Sequence, residues 1–420
     1  MSDSEGGSSV ASEWTSSHSK TDRVREELEG MSWQFRTALG ATYRPDANDE
    51  MIDERIGRNE LIEKLESNLL PSLKDHITAL LLLLDVENLG EQPRRNLDSV
   101  SELIPKIYDT LKKTTLAVES VSAPFEGVFT SHRKLGRCKE FRCYRLHTRV
   151  QIIITSHLCR LIGSGAEFMR SCSLSCQNPE SLKHRRRTFE WGEKIRTRAD
   201  SCYRVIDQTI KWSKNSDLAI LQDDWLEAEE LVNDTLEHLT KLGDPITDLN
   251  YERASINEPE KTMAAKKYNA QVARSTIPIV KLTRIFLYKM SNATPKKVSF
   301  TLDPEVDSKS LNLLSERPIE VAKRLARFTT ILAKHQEEDT RVTLDGNRHS
   351  NPFLSIRELL ESTLLLLAFY LTPLPAAVDD HSPRPQNQFK LWFFDLQSLY
   401  QKATDHMSDT LFPSQHFDFE

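Results

Sequence analysis

Apolar residues recur along this chain at spacings of three and four, and one stretch lacks even a polar face. Between Asn351 and Pro375, Leu359, Leu360, Leu364, Leu365, Leu366, Leu367, Phe369 and Leu371 crowd the last turns of a predicted helix. A helix apolar all round is expected to be buried all round. Asn351-Pro352, or Ser355 with Glu358 three residues on, supplies a start, and Pro373 and Pro375 supply a stop. Arg357, Glu358 and Glu361 leave nine uncharged residues from Thr363 to Leu371, half of the roughly 18 that a membrane span requires. The pattern predicts a central core helix, not a bilayer segment.

The same periodicity predicts helices along the rest of the chain. Glu60 to Asp85 reads as one helix kinked at Pro71 or as two short ones, and Asn96 to about Val121 as the next. Cys138 to about Cys172 is a third, which Gly163-Ser164-Gly165 bends or ends. Pro179 opens a helix in which Ile195, Ala199, Cys202, Ile206 and Thr209 step four, three, four, three, the spacing of a seam against a neighbouring helix. Leu218 to Leu239 is amphipathic and closes at Gly243. Further helices are expected from about Pro259 to Ser291, Asp307 to Glu338 and Gln386 to Leu411. In the last of these Phe389, Trp392, Phe393, Leu396, Leu399, Tyr400, Ala403 and Met407 share a broad apolar face.

Thirteen glycines and 28% charged residues suit long helices better than short strands and tight hairpins. The expected fold is all-α: two helical bundles of about nine long helices with a disordered N-terminal tail. The opening Ser, Gly and acidic residues place that tail at 1–46, without an apolar secretory core. An N-terminal bundle over 47–243, an acidic aperiodic linker over 244–260 and a C-terminal bundle over 261–420 complete the expected organisation. The six cysteines read as reduced helical thiols, and the expected location is cytoplasmic, nuclear or both.

Charge is segregated. From His132 to Arg198 sixteen Lys or Arg stand against five Glu, whereas Asp217 to Lys261 holds thirteen Asp or Glu against three Lys or Arg. Two arrangements fit: a basic helix pair neutralised by an acidic helix within one bundle, or a basic surface held out for an acidic partner. The sharpest local cluster is Lys183, Arg185, Arg186 and Arg187, around His184. Such a run suits a protein partner with an acidic surface, or nuclear import. Cations at a helix N-terminus oppose the helix dipole, which favours a role outside the fold. The chain carries a net charge of −6 and lacks the interleaved aromatics that stack bases, which argues against nucleic acid.

Candidate chemistry is sparse. His132, Cys138, Cys143 and His147 approach ligand spacing, but a structural zinc site uses tighter cysteine pairs. Asp223, Asp224 and Glu227 match the acidic motif with which all-helical prenyl-diphosphate enzymes hold magnesium, and they define the alternative, enzymatic reading. A second acidic motif on a facing helix is missing. We assign no catalytic residue, no cofactor and no metal ligand, because the glycine-rich phosphate loops, HExxH and GxSxG are also absent from the sequence.

The segments Ile277 to Ser291, Leu364 to Pro375 and Phe389 to Phe393, with Asn68 to Leu73, resemble a family of uncharacterised fungal helical proteins and, more distantly, are similar to the cyclin-D-binding proteins. That resemblance implies a two-lobed helical fold acting through partner contacts, with no catalytic residues to carry over. We read the chain as a non-catalytic helical scaffold or protein-protein interaction protein, with a regulatory role in view.

Overall fold

A computed structural model describes residues 8–38, 54–86, 96–123, 133, 135–178, 180–244, 260–291, 300–343, 352–373 and 385–412. The protein is all-α, with ten continuous helices and one pair of three-residue strands among the described residues. It divides into two compact units, Met1–Lys214 and Asn215–Glu420.

In the first unit the helices are α1 (Ser8–Ala38), α2 (Glu54–Lys64), α3 (Leu70–Leu83), α4 (Leu97–Ser122), α5 (Glu140–Ile152), α6 (Cys159–Gln177) and α7 (Leu182–Ser213). The tail expected over 1–46 is helical from Ser8 to Ala38, and Val24, Leu28, Met31 and Phe35 are buried at helical spacing. The Ser- and Gly-rich opening hides this seam, which follows it among the charged residues of 24–35; residues 39–46 lie outside the described residues.

α2 and α3 form one rod joined by a π turn at Leu65–Leu69. Pro71 has no N–H and its ring crowds the carbonyl four residues back, and the widened turn before it accommodates both without a break. A second π turn, Ile153–Leu158, joins α5 to α6. The helix then runs straight through Gly163-Ser164-Gly165, against expectation, because α1 covers these glycines. A Cβ at Gly165 would lie 3.7 Å from Leu28 Cδ1, an ordinary contact. α6 packs between α1 and α7, and the α7 seam Ile195, Ala199, Cys202, Ile206 and Thr209 is buried as its spacing predicts.

Asn96 caps α4 by accepting from the Ser99 N–H at 3.1 Å. Carbonyls at the far ends are met by guanidinium groups. Arg58, 4% exposed, donates to the Ala123 C=O at 2.8 Å, and Arg142, 6% exposed, to the Ser213 C=O at 2.9 Å.

The second unit holds α8 (Asp217–Gly243), α9 (Glu260–Ser291), α10 (Ser308–Glu337), α11 (Pro352–Tyr370) and α12 (Pro385–Leu411). β1 (Phe300–Leu302) pairs antiparallel with β2 (Leu371–Pro373), Thr301 opposite Thr372. α8 packs on α9 and α10, and α12 on α9 and α11. Trp225 is fully buried and donates its indole N–H to the Leu314 C=O at 2.8 Å. α8 is thus a core helix of the second unit, so the bundles divide after Lys214 and not at 244–260. The three-residue connection Lys214-Asn215-Ser216 marks the division, and 245–259 lie outside the described residues.

The Leu-rich helix α11 is amphipathic after all. Phe353, Ile356, Leu360 and Leu367 are buried, whereas Leu365 is 71% and Phe369 79% exposed. Thr363, buried, donates back to the Leu359 C=O and so occupies a core position without an orphaned hydroxyl. Among the described residues no helix is long and apolar enough to cross a membrane.

Candidate functional site

The predicted basic cluster opens α7, where Lys183, Arg185, Arg186 and Arg187 are all exposed. At 100° per residue they do not share one face. Arg186 turns toward Glu190 and pairs with it at 3.0 Å. Lys183 and Arg187 fall instead on a line with Trp191, Lys194 and Arg198, spaced four, four, three and four. Along this line the Lys194 ammonium sits 4.2 Å from the Trp191 ring centroid.

The lower end of the line enters a cleft of about 500 Å³ lined by Arg36, Thr155, Arg160, Gly163, Trp191 and Arg198. Each arginine comes from a different helix: the last turn of α1, the first turn of α6 and the middle of α7. Arg198 is half-buried and held in place. Its guanidinium donates to the Arg160 C=O at 2.7 Å and also bonds the Ser164 hydroxyl. Neither Arg36, Arg160 nor Arg198 forms an ion pair with a carboxylate among the described residues, although several arginines elsewhere in the unit do.

Thr155, which lines the cleft, belongs to the π turn Ile153–Leu158, and such turns often mark functional positions in helices. Within it Thr155 donates to the Gln151 C=O at 2.8 Å, and His157 Nδ1 lies 3.2 Å from the Ser201 hydroxyl. Burial, and then the charges of Arg160 and Arg204, lower the His157 pKa. The shift disfavours the charged imidazole, so the positive charge of the cleft comes from its arginines.

The remaining basic residues of 132–198 are largely absorbed inside the first unit. Arg137 pairs with buried Glu66, while Arg145 and Arg149 lie over the Phe141 and Trp212 rings at 4.3 and 4.7 Å. The acidic helix α8 belongs to the other unit, so an acidic helix in the same bundle does not neutralise the segment, as one expected arrangement required.

The other expected chemistry does not assemble. Asp224 faces α10 and accepts from the Ser315 hydroxyl at 2.7 Å, while Asp223 and Glu227 lie on the exposed side of α8. Cys138 donates to Asn59 Oδ1 at 3.2 Å, and burial pushes the Cys143 thiol up to about 12; His132 lies outside the described residues. No group of three or more His, Cys, Asp or Glu placed to hold a metal occurs among the described residues.

Sequence reasoning missed the cleft, because Arg36 and Arg160 are isolated cations in the chain. The available signal was the four-three-four spacing from Arg187 through Trp191 and Lys194 to Arg198.

The fold and this surface define a two-unit, all-helical protein with a cationic cleft. Residues 58–214 match a family model described as a domain of unknown function (DUF8723), and residues 216–409 match a second, also described as a domain of unknown function (DUF8721). These spans follow the two compact units. Comparison with curated proteins and with solved structures gives no match.

Proposed function

We propose that this protein is a non-catalytic helical interaction protein that binds acidic partner proteins through the basic line of α7 and the adjoining cleft. One observation carries the reading: Arg36, Arg160 and Arg198 line a single cleft with no ion-paired carboxylate among the described residues. Like charges gathered this way repel, and an anionic partner relieves that repulsion while gaining field strength from the cleft walls. The resemblance of its apolar helix segments to cyclin-D-binding proteins favours the same reading, partner contacts, and we place these in the cytoplasm or nucleus.

The test is a titration of the full chain with a fluorescein-labelled acidic peptide of Glu and Ser, about 20 residues long. Affinity should fall steeply between about 0.05 and 0.3 M salt, because the exposed charges are screened. A Lys183→Glu, Arg187→Glu double variant should lose about tenfold or more, roughly 1.4 kcal/mol. Lys323→Glu with Arg327→Glu, on the exposed side of α10, changes net charge equally and should leave binding unaltered. Equal losses from both pairs, or no salt dependence, would overturn the proposal.

A further inference from the structure

We infer that the cleft between α1, α6 and α7 is a phosphate-recognition site that reads a phosphoserine or phosphothreonine within an acidic peptide of the partner. This inference rests on the acidic-partner reading above and makes it more specific.

Three guanidinium groups face one volume, and this number decides between anions. A glutamate brings one charge and two oxygens, which a single arginine fork satisfies. A phosphomonoester brings nearly two charges and three strong acceptor oxygens, matching a group of three arginines. Arg198 is already fixed by its bonds to the Arg160 C=O and the Ser164 hydroxyl, so little side-chain freedom is lost when an anion arrives. Thr155 is no competitor as a donor, since its hydroxyl proton is engaged by the Gln151 C=O.

The basic line indicates a peptide. From Lys183 to Arg198 the rise along α7 is about 22 Å at 1.5 Å per residue, the reach of about seven extended residues. A phosphorylated side chain seated among the arginines thus leaves its flanking acidic residues beside Arg187, Lys194 and Lys183. The α7 carboxylates nearest this line are occupied elsewhere: Glu190 pairs with Arg186 and Glu193 with Arg196. Single-stranded nucleic acid fits less well, because Lys194 covers a face of Trp191, the aromatic ring of the cleft, and base stacking needs an open ring. A bilayer surface fits less well because Arg198 is half-buried in a recess, not projecting from a flat face.

The experiment is fluorescence anisotropy on the full chain with three labelled pools of degenerate acidic peptides. They are identical except for phosphothreonine, threonine or glutamate at the centre. At fixed ionic strength the phosphothreonine pool should bind at least tenfold more tightly than the glutamate pool. Arg36→Gln with Arg160→Gln, both at exposed side chains and checked by an unchanged melting curve, should bring the phosphothreonine pool down to the glutamate level. That double variant should weaken the glutamate pool far less, by no more than about threefold, because Lys183, Arg187 and Lys194 still carry it. Arg160→Lys should restore only part of the difference, since an ammonium lacks the fork. Equal affinity for the phosphothreonine and glutamate pools would overturn the phosphate inference and leave the acidic-partner reading standing. Binding of no pool would overturn both. Tighter binding of a single-stranded DNA 20-mer, or of vesicles containing phosphatidylinositol bisphosphate, would reassign the cleft and overturn the inference.

Discussion

Both units are helical, but they differ in the polar groups that enter their interiors. In the first, guanidinium groups enter the interior: Arg58 and Arg142 are buried against C-terminal carbonyls, and Arg137 reaches the buried carboxylate of Glu66 beside a π turn. In the second, one helix end is met by a guanidinium, Arg274 donating to the Gly243 C=O at 2.7 Å, and another by an amide, Gln222 donating to the Met290 C=O at 3.1 Å. Its interior is bonded by neutral groups: Trp225 donates to the Leu314 C=O, which Pro318 leaves without its usual helical donor, and Asn269 bridges the Thr340 C=O and the Val342 N–H. All six cysteines lie in the first unit. Thirty-three Lys and Arg against thirty-one Asp and Glu give residues 1–214 a net charge of +2, whereas twenty-three against thirty-one give residues 215–420 a net −8. A nearly neutral sum thus conceals the most concentrated cationic surface described here, because most of its partners in sign are consumed at interior contacts and at exposed pairs along the helices.

The largest expected effect breaks the neutral interior. Trp225→Ala removes a fully buried indole and its hydrogen bond, and should cost about 3 to 5 kcal/mol in urea unfolding of the second unit. Glu66→Ala tests the charged interior. It removes the carboxylate from the Arg137 guanidinium and the Ser213 hydroxyl, which keep the Ser213 and Ile210 carbonyls as partners, and because Arg137 is also about one-third exposed the cost should be about 2 kcal/mol, below the full buried-pair penalty. A smaller loss for Glu66→Ala than for an exposed-pair deletion such as Glu237→Ala would remove the contrast between the units.

Acidification should weaken the first unit next. Burial lowers the pKa of His76, His147 and His157 from the ordinary value of 6.5. The unfolded chain therefore takes up protons first, so stability is fully present above 6.5 and declines as pH falls through 6.5 toward the folded values. Amide protection factors in α3, α5 and α6, which remove the intrinsic pH dependence of exchange, should fall between about pH 7 and pH 5, and His76→Gln, His147→Gln, His157→Gln together should flatten that response. Thiol chemistry offers a related check. Burial raises Cys159 to about 11 and Cys143 and Cys202 to about 12, while Cys176 is exposed. A disulfide reagent should modify one thiol rapidly in the native chain and the other five only on unfolding.

The smallest expected effect is on stability at the surface. Arg187→Ala should shift unfolding by less than about 0.5 kcal/mol while weakening the acidic peptide, and a stability loss without a binding loss would make the residue structural.

What the sequence displayed well was local. Helical periodicity located α4, α7, α8 and α10, and Asn96, Ser216 and Asp307 stand at the N-caps where short polar side chains belong. Long-range matters were not legible. Leu366 looked like the centre of a helix buried on every side, yet it is half-buried while its neighbour Leu367 is fully buried. An aspartate at 367 is the substitution that places an unpaired charge in the core. The α1 seam was hidden behind a Ser- and Gly-rich opening, and the division between units by a connection of three residues without proline or glycine. The cleft was only half visible: α7 carries its line in sequence, but Arg36 and Arg160 join it through packing alone.

Hydrogen exchange of the full chain, with and without the acidic peptide, locates the binding surface directly. Protection confined to residues 183–198, the end of α1 around Arg36 and the start of α6 around Arg160 is the predicted result. Protection centred on α8 to α12, or no protection at peptide concentrations that saturate the anisotropy signal, would contradict it.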